Sequence, residues 1–239
     1  MDVRHLVVSG NSFTQDGIGG VPPTVNGEGG CSFGPEGNRT VPGSWAGYVA
    51  QKLQTTSLIN TAAASHGNQL IANTILEILN RYQYSPSNTV VLFNVSMLTR
   101  LDIPCEFENP DRSLFVHWSK DLIPYTYLNR NSRTYQSVEK QVGLDIVPQL
   151  SLTALNFLFN YLEHRGFVYA FMLTENYLTE PEFVKLIESR QNRMIVLTPG
   201  VGMKEFAEIS GHNTENNYHP DRIGREIIAD RVVDFIKNS

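Results

Sequence analysis

A serine hydroxyl and an imidazole are the two groups in this chain whose types and places suggest covalent chemistry. Ser12 follows Gly10-Asn11 directly after the apolar run Leu6-Val7-Val8. His219 stands near the other end, in Glu215-Asn216-Asn217-Tyr218-His219-Pro220-Asp221. A serine hydroxyl becomes an effective nucleophile when a neighbouring imidazole takes its proton, and the same imidazole returns the proton to the leaving group. Acyl transfer by this route also needs donors aimed at the oxyanion of the tetrahedral intermediate. The small-residue run Thr61-Ala-Ala-Ala-Ser65-His66-Gly67-Asn68 offers backbone N–H groups, and Asn94, closing an apolar strand, offers a side-chain amide. Each feature alone has a plainer reading, since most Gly-x-Ser turns are only turns.

The elements that must position these groups follow from periodicity. Leu6, Val7 and Val8 form a short run apolar on both faces, as in a parallel sheet, and Gly10 allows a sharp exit. Ser12 then falls at the carboxyl edge, where open α/β sheets bind ligands. Residues 15–43 are rich in Gly and Pro and form either a surface excursion or a rim over the Ser12 site. Ser44 caps a helix carrying Trp45, Val49 and Leu53. A strand is expected from Ser57 to Asn60 and a helix from about Gln69 to Tyr82, with Ile71, Ile75 and Ile78 or Leu79 inward. Thr89 to Phe93 is the clearest buried strand. From 101 to about 133 the pattern breaks into an insertion punctuated by Pro104, Pro110 and Pro124 and dense in aromatics (Phe107, Phe115, Trp118, Tyr125, Tyr127). Helical spacing returns from Tyr135 to His164, with a kink expected near Pro148 and an end at Gly166. A strand from Phe167 to Leu173, a helix from Glu180 to Gln191, a strand from Arg193 to Leu197 and a turn at Pro199-Gly200 follow. A last helix starts near Asp221 with Ile223, Ile227, Ile228, Val232, Val233 and Ile236 on its buried side. Strands alternating with helices predict a three-layer α/β/α sandwich with a mainly parallel sheet, spanning 1–239 as one domain.

Composition narrows the function classes. A net charge of −5 gives no electrostatic drive toward nucleic acid or an anionic membrane. The basic run Arg130 to Arg133 is too short to change that. Two cysteines, Cys31 and Cys105, are too few for a disulfide framework and fit a reducing compartment. The N-terminus lacks a signal-peptide pattern and no apolar run is long enough for a membrane span, so a cytoplasmic protein is expected. Gly17-x-Gly19-Gly20 runs into Val-Pro-Pro rather than a helix, and no His, Cys, Asp and Glu cluster has metal-ligand spacing, so no cofactor or metal is expected. Of the remaining polar residues, His66 lies in the small-residue turn, His212 in a polar loop, and Arg100-Leu101-Asp102 reads as a buried ion pair or a substrate clamp, the structural role being favoured.

With these residues in order, the chain resembles the SGNH (GDSL-like) hydrolase superfamily over nearly its whole length. Gly10-Asn11-Ser12-Phe13 matches the family's Gly-Asp-Ser block, whose serine is the nucleophile. Asn60 through Asn68 resembles the second block, which supplies a glycine N–H to the oxyanion hole. Phe93-Asn94-Val95-Ser96 stands where the family has Gly-x-Asn, whose Asn is a further donor. Asn216 to Pro220, with Gly224 and Ala229 beyond, resembles the terminal Asp-x-x-His-Pro block. The resemblance implies a flavodoxin-like sandwich and hydrolysis of an ester or O-acyl group, an O-acetylated glycan among the options, without a cofactor. Its site residues are Ser12, His219 and Asn216, with Ser12, Ser65 or Gly67, and Asn94 around the oxyanion.

Three positions depart from the family pattern. Five residues on from Asn60 lies Ser65, not a glycine, which leaves Ser65 and Gly67 as alternative backbone donors. The third block lacks its glycine, and in a shifted register Ser96 replaces Asn94. The triad Asp falls on Asn216, which can accept the imidazole Nδ1 proton but brings no charge. In the serine-protease triad, a known worked example, the same change lowers kcat about 10⁴-fold. Three outcomes follow: a Ser–His dyad oriented by a carbonyl, a substitute acid at Glu215 or Asp221, or a non-catalytic module that uses the 15–43 loop and the 101–133 insertion to bind a partner.

Overall fold

The computed structural model describes residues 2–11, 14, 44–62, 66–100, 102–104, 122–124, 146–176, 178, 180–214 and 217–238. Ser12, Ser65, Glu215 and Asn216 lie outside the described residues, as do the 15–43 loop, both cysteines and the five insertion aromatics. In chain order the elements are β1 (His5–Ser9), α1 (Trp45–Leu53), β2 (Ser57–Asn60), α2 (Asn68–Arg81), β3 (Thr89–Val95), β4 (Asp102–Pro104), β5 (Leu122–Pro124) and α3 (Val147–Arg165). Then come β6 (Val168–Leu173), α4 (Pro181–Ile187), a 3-10 segment (Glu188–Arg193), α5 (Met203–Ser210), β7 (Asn213–Thr214), β8 (Asn217–Pro220) and α6 (Arg222–Asn238).

Four strands form one parallel sheet in the order β2-β1-β3-β6. Alternation along the strands sorts the side chains onto two faces. Leu6, Val8, Val90, Leu92, Ala170 and Met172 face one layer with Trp45 and Val49 of α1, Met203 of α5 and Ile228 and Val232 of α6. Val7, Val91, Phe93, Tyr169 and Phe171 face the other, with Ile71 and Ile75 of α2, Leu155 and Phe159 of α3 and Phe183 of α4. The result is a three-layer α/β/α sandwich. In register, Val8 lies opposite Asn60 on one side and Leu92 on the other, so the carboxyl ends of β1, β2 and β3 meet at one edge.

The fifth strand expected from Arg193 to Leu197 is reduced to a parallel bridge between Met194 and Phe171, joined by the Ile195 N–H to Phe171 O bond of 2.8 Å. The 3-10 segment takes up Arg193, and the Met194 N–H turns back to Gln191 O, so the ladder has no earlier start. Pro148 does not kink a helix but sits in the first turn of α3, where a missing N–H costs nothing. Gly166 ends that helix at φ 73°. On α6 the inward stripe is Gly224, Ile228, Ala229, Val232, Val233 and Ile236, while Ile223 is 53% exposed. A Cβ at position 224 would lie 2.9 Å from His212 O, so only a glycine lets α6 pass this close, and its neighbour Ile223 turns outward.

Phe159 is the centre of the second layer. Its ring lies 5.8 Å from Phe93, 5.8 Å from Tyr169 and 5.1 Å from Phe171. The Arg190 guanidinium covers it at 5.1 Å and is held by both carboxylate oxygens of Glu163 at 2.7 and 3.0 Å. Phe159→Ala removes this hub and is expected to cost about 3–5 kcal/mol, read as a lower urea midpoint.

Candidate active site

The carboxyl edge of the sheet is held by side-chain amides. Asn94 lies near the end of β3, and its Oδ1 accepts from the Asn11 backbone N–H at 3.0 Å and the Thr14 hydroxyl at 2.8 Å. A backbone N–H can only donate, so this contact fixes which way the amide faces. The Asn94 Nδ2 then donates to Asn11 Oδ1 at 3.0 Å and to Thr174 Oγ1, just past β6. Asn11 answers by donating from Nδ2 to Thr174 Oγ1 at 2.9 Å and to Ser96 Oγ at 3.3 Å. Asn11, Thr14, Asn94 and Ser96 are all fully buried. Gly10 is required beside them: a Cβ there would come within 1.8 Å of Asn94 Oδ1. The turn that leads into Ser12 is thus pinned to β3 and to the end of β6.

A second set of bonds fixes the start of α2. Asn60 donates to Thr14 O at 3.0 Å and accepts from the Ala62 N–H, tying the chain after β2 to the Ser12 turn. Asn68 and Ser96 exchange two bonds, Ser96 N–H to Asn68 Oδ1 at 2.8 Å and Asn68 Nδ2 to Ser96 O at 3.1 Å. The Ser96 hydroxyl donates to His66 O at 2.6 Å, and Arg100 donates to the same carbonyl at 3.3 Å and to Ser96 Oγ at 3.2 Å. Asp102 accepts from the Gly67 N–H at 3.0 Å and the Leu70 N–H at 2.8 Å. Burial pushes the Asp102 carboxyl up to about 6, against the pull of those N–H groups and of Arg100. His66 is buried, and desolvation with the nearby Arg100 charge pushes it down to about 3, so it is neutral at physiological pH.

His219 lies on β8, which pairs antiparallel with β7 between α5 and α6. Its imidazole is half-buried, and burial first, then the charges of Arg100 and Arg225, hold its pKa below the usual histidine range. Arg100 is the link between the two halves of the site. It touches Ser96, which touches Asn11, and its charge reaches His219.

The described candidates are engaged as follows. The Gly67 N–H donates to Asp102, and the Asn94 Nδ2 donates to Asn11 and Thr174, so two groups expected to face an oxyanion bond inside the protein. Ser96, the shifted-register alternative, gives its hydroxyl to His66 O. Asp221, a possible substitute acid, accepts the Gly224 N–H at 2.7 Å and faces His212 Nδ1 at 3.7 Å, serving the first turn of α6. His212, in the loop before β7 and partly exposed, faces Asp221. Asn11, Thr14 and Thr174 were not singled out by sequence reasoning as binding groups. Asn11 and Thr174 carry a signal, since each closely follows an apolar strand and a small polar residue there bonds at the sheet edge; Thr14, five residues beyond β1, carries none. Among the described residues, no group of three or more His, Cys, Asp or Glu side chains is placed to hold a metal ion.

No protein-family model and no curated protein matches the chain. Solved structures do. The psychrotrophic esterase EstA from Pseudoalteromonas sp. superposes with a TM-score of 0.50 at 12% identity, covering 98% of this chain and 97% of that one. At this identity the likeness is one of fold, a three-layer α/β/α hydrolase fold. A GDSL-like lipase described as putative, from Parabacteroides merdae, superposes at TM-score 0.46 and 12% identity over 99% of this chain and 96% of that one. In this α/β/α fold, Gly10-Asn11 leaves the carboxyl end of β1 and His219 precedes α6. Among the described residues no helix is long and apolar enough to cross a membrane.

Two predictions follow from the buried groups. Asn94→Ala strips the Asn11 N–H, the Asn11 carbonyl oxygen and the Thr14 hydroxyl of a partner, and is expected to cost about 2–4 kcal/mol by urea titration. Folding lowers the His66 pKa to about 3 from the ordinary histidine value of 6.5, so below pH 6.5 the unfolded chain binds the extra proton. Its contribution to stability is present above pH 6.5 and is lost as pH falls toward 3. Asp102, raised from 3.8 to about 6, has the opposite sign: its contribution is present below 3.8 and lost as pH rises through 6. The urea midpoint of His66→Gln, relative to wild type, is expected to improve on going from pH 7 to pH 4.5. A difference independent of pH contradicts the assignment.

Proposed function

We propose that the chain is a serine esterase acting on carboxylic esters or O-acyl groups. Ser12 is the nucleophile and His219 the base and acid. The Ser12 Oγ attacks the ester carbonyl while His219 Nε2 takes its proton, and the tetrahedral intermediate expels the alcohol, which receives that proton. Water then attacks the acyl-enzyme with His219 again as base, releasing the acid and restoring Ser12. The oxyanion is received by the backbone N–H groups of Ser12 and Ser65. Gly67 and Asn94, whose donors are engaged within the protein, shape the hole rather than line it. Asn216 takes the place of the triad acid and orients the imidazole without charge.

The observation that carries this reading is the pinning of the Ser12 turn. Asn11, Asn94, Ser96 and Thr174 bring three strand ends together beside the residue that precedes Ser12, and Arg100 bonds to Ser96 and the His66 carbonyl in that cluster. A fold-only role needs no such concentration of buried amides at the ligand edge of the sheet. Burial first, then the charges of Arg100 and Arg225, lower the pKa of His219 and so favour the neutral imidazole that a general base requires.

The test is labelling with a fluorophosphonate probe, paired with hydrolysis of p-nitrophenyl acetate. Wild type is expected to label and turn over, with both lost in Ser12→Ala and His219→Ala. Since His219 lies below its ordinary pKa, the acid limb of kcat/KM is expected below pH 6.5. Asn216→Asp adds a negative partner and is expected to move that limb upward and to raise kcat at pH 8. Folded wild type that neither labels nor hydrolyses any ester in a chain-length panel points to the non-catalytic binding module.

A further inference from the structure

The N-terminus of α2 is capped from far away in the sequence. Its N-cap residue is Gly67, which has no side chain to accept the orphaned N–H groups of the first turn. Asp102, the first residue of β4, fills that role with both oxygens, on the Gly67 and Leu70 N–H groups. The fit is mutual: a Cβ on Gly67 would come within 2.6 Å of Asp102 Oδ2. The carboxylate occupies the space where a side chain at 67 would be. One residue earlier, the His66 carbonyl is held by the Ser96 hydroxyl and by Arg100. Residues 66 and 67 are therefore gripped on both their donor and their acceptor sides, immediately after Ser65.

Capping by a remote, 2% exposed carboxylate is a costly solution. A serine or aspartate at position 67 would satisfy the Leu70 N–H locally, but not the N–H of residue 67 itself. What the remote carboxylate adds is a tie between the segment after Ser65 and the base of the β4–β5 ribbon, where Asp102 pairs with Pro124. We infer that Asp102 is a positioning residue of the esterase site, seated on Gly67 and Leu70 so that the first turn of α2 keeps one place beside the carboxyl edge of the sheet. The inference rests on the esterase reading above. Asp102 touches no reacting atom; it acts through the turn it holds. Arg100 completes the grip from the carbonyl side.

The test compares Asp102→Ala, Asp102→Asn, Gly67→Ala and the double variant Gly67→Ala/Asp102→Ala in the full chain. The readouts are kcat and KM on p-nitrophenyl acetate, melting temperature, and hydrogen exchange of the peptide covering 62–70. Asp102→Ala is expected to lower kcat about 10- to 100-fold with KM within about twofold, and to speed exchange at 66–70. Asp102→Asn keeps one acceptor and recovers part of kcat. Gly67→Ala is harmful in the parent, because its Cβ displaces the carboxylate, yet adds nothing further in the Asp102→Ala background; that non-additivity marks the contact. A folded Asp102→Ala with unchanged kcat overturns the inference. So does a kcat loss no larger than that of Phe159→Leu at matched melting temperature, which marks a merely structural role. A parent without Ser12-dependent turnover refutes the esterase reading itself, and the positioning role falls with it. Exchange and the Gly67–Asp102 coupling in melting temperature then still report on the seat, and additive losses there refute that as well.

Discussion

The Asn11–Asn94 amide pair is the interaction on which the ligand edge of this molecule depends. Each side chain serves the other, and neither can be satisfied by its own strand. Asn94 needs the backbone of residue 11 and the hydroxyl of Thr14, and both amides need Thr174 from the end of β6. A buried amide without partners costs about 1–3 kcal/mol per lost group, so the strand register and the pairing enforce one another. A slip of one residue between β1 and β3 would exchange Val7 and Val8 between the two layers and break every bond of the pair. Gly10 is the steric condition, because the amide occupies the volume of its missing side chain.

The framework was legible because it is written in periodicity. Leu6-Val7-Val8, Thr89 to Phe93 and Phe167 to Leu173 are short runs apolar on both faces, which only a sheet covered on both sides can bury, and their alternation with amphipathic segments gives the layers. The site was legible only through its blocks, because residues 11, 60, 94 and 174 are far apart in the chain and no spacing links them. Elements defined by few residues were missed. The helix Met203–Ser210 is short: its buried stripe is only Met203, Phe206 and Ala207, about one turn, and its ends are marked by the Glu205 side chain on the Gly202 N–H and the left-handed Gly211. The β7–β8 pair around His219 contains no apolar run at all. Asp102 illustrates the deeper limit: a helix cap supplied from a residue beyond the next strand cannot be found by reading the helix.

Charge at the site is distributed unusually for the proposed chemistry. The two carboxylates that flank the functional segments, Asp102 and Asp221, each serve a helix N-terminus. Arg100 and Arg225 bear on His219 instead. Such a field works against an imidazolium and in favour of an oxyanion. Nucleophile activation by a charged triad acid and oxyanion stabilisation by nearby cations are separate contributions, so a site weak in the first retains the second.

The strand order also has a consequence for how the molecule is made. Among the described strands of the sheet β1 comes earliest in the chain, yet it is an interior strand, flanked by β2 and β3. A chain leaving the ribosome therefore presents Leu6, Val7 and Val8 to solvent, or to a chaperone, before either neighbour exists. Pairing with β3 encloses them, but Asn11 and Asn94 still lack the Thr174 hydroxyl, and α6 is the last layer to close over Val8 and Leu92. The segment that leads into Ser12 is thus translated before the residues that immobilise it, which leaves the ligand edge open until the rest of the sheet has been built.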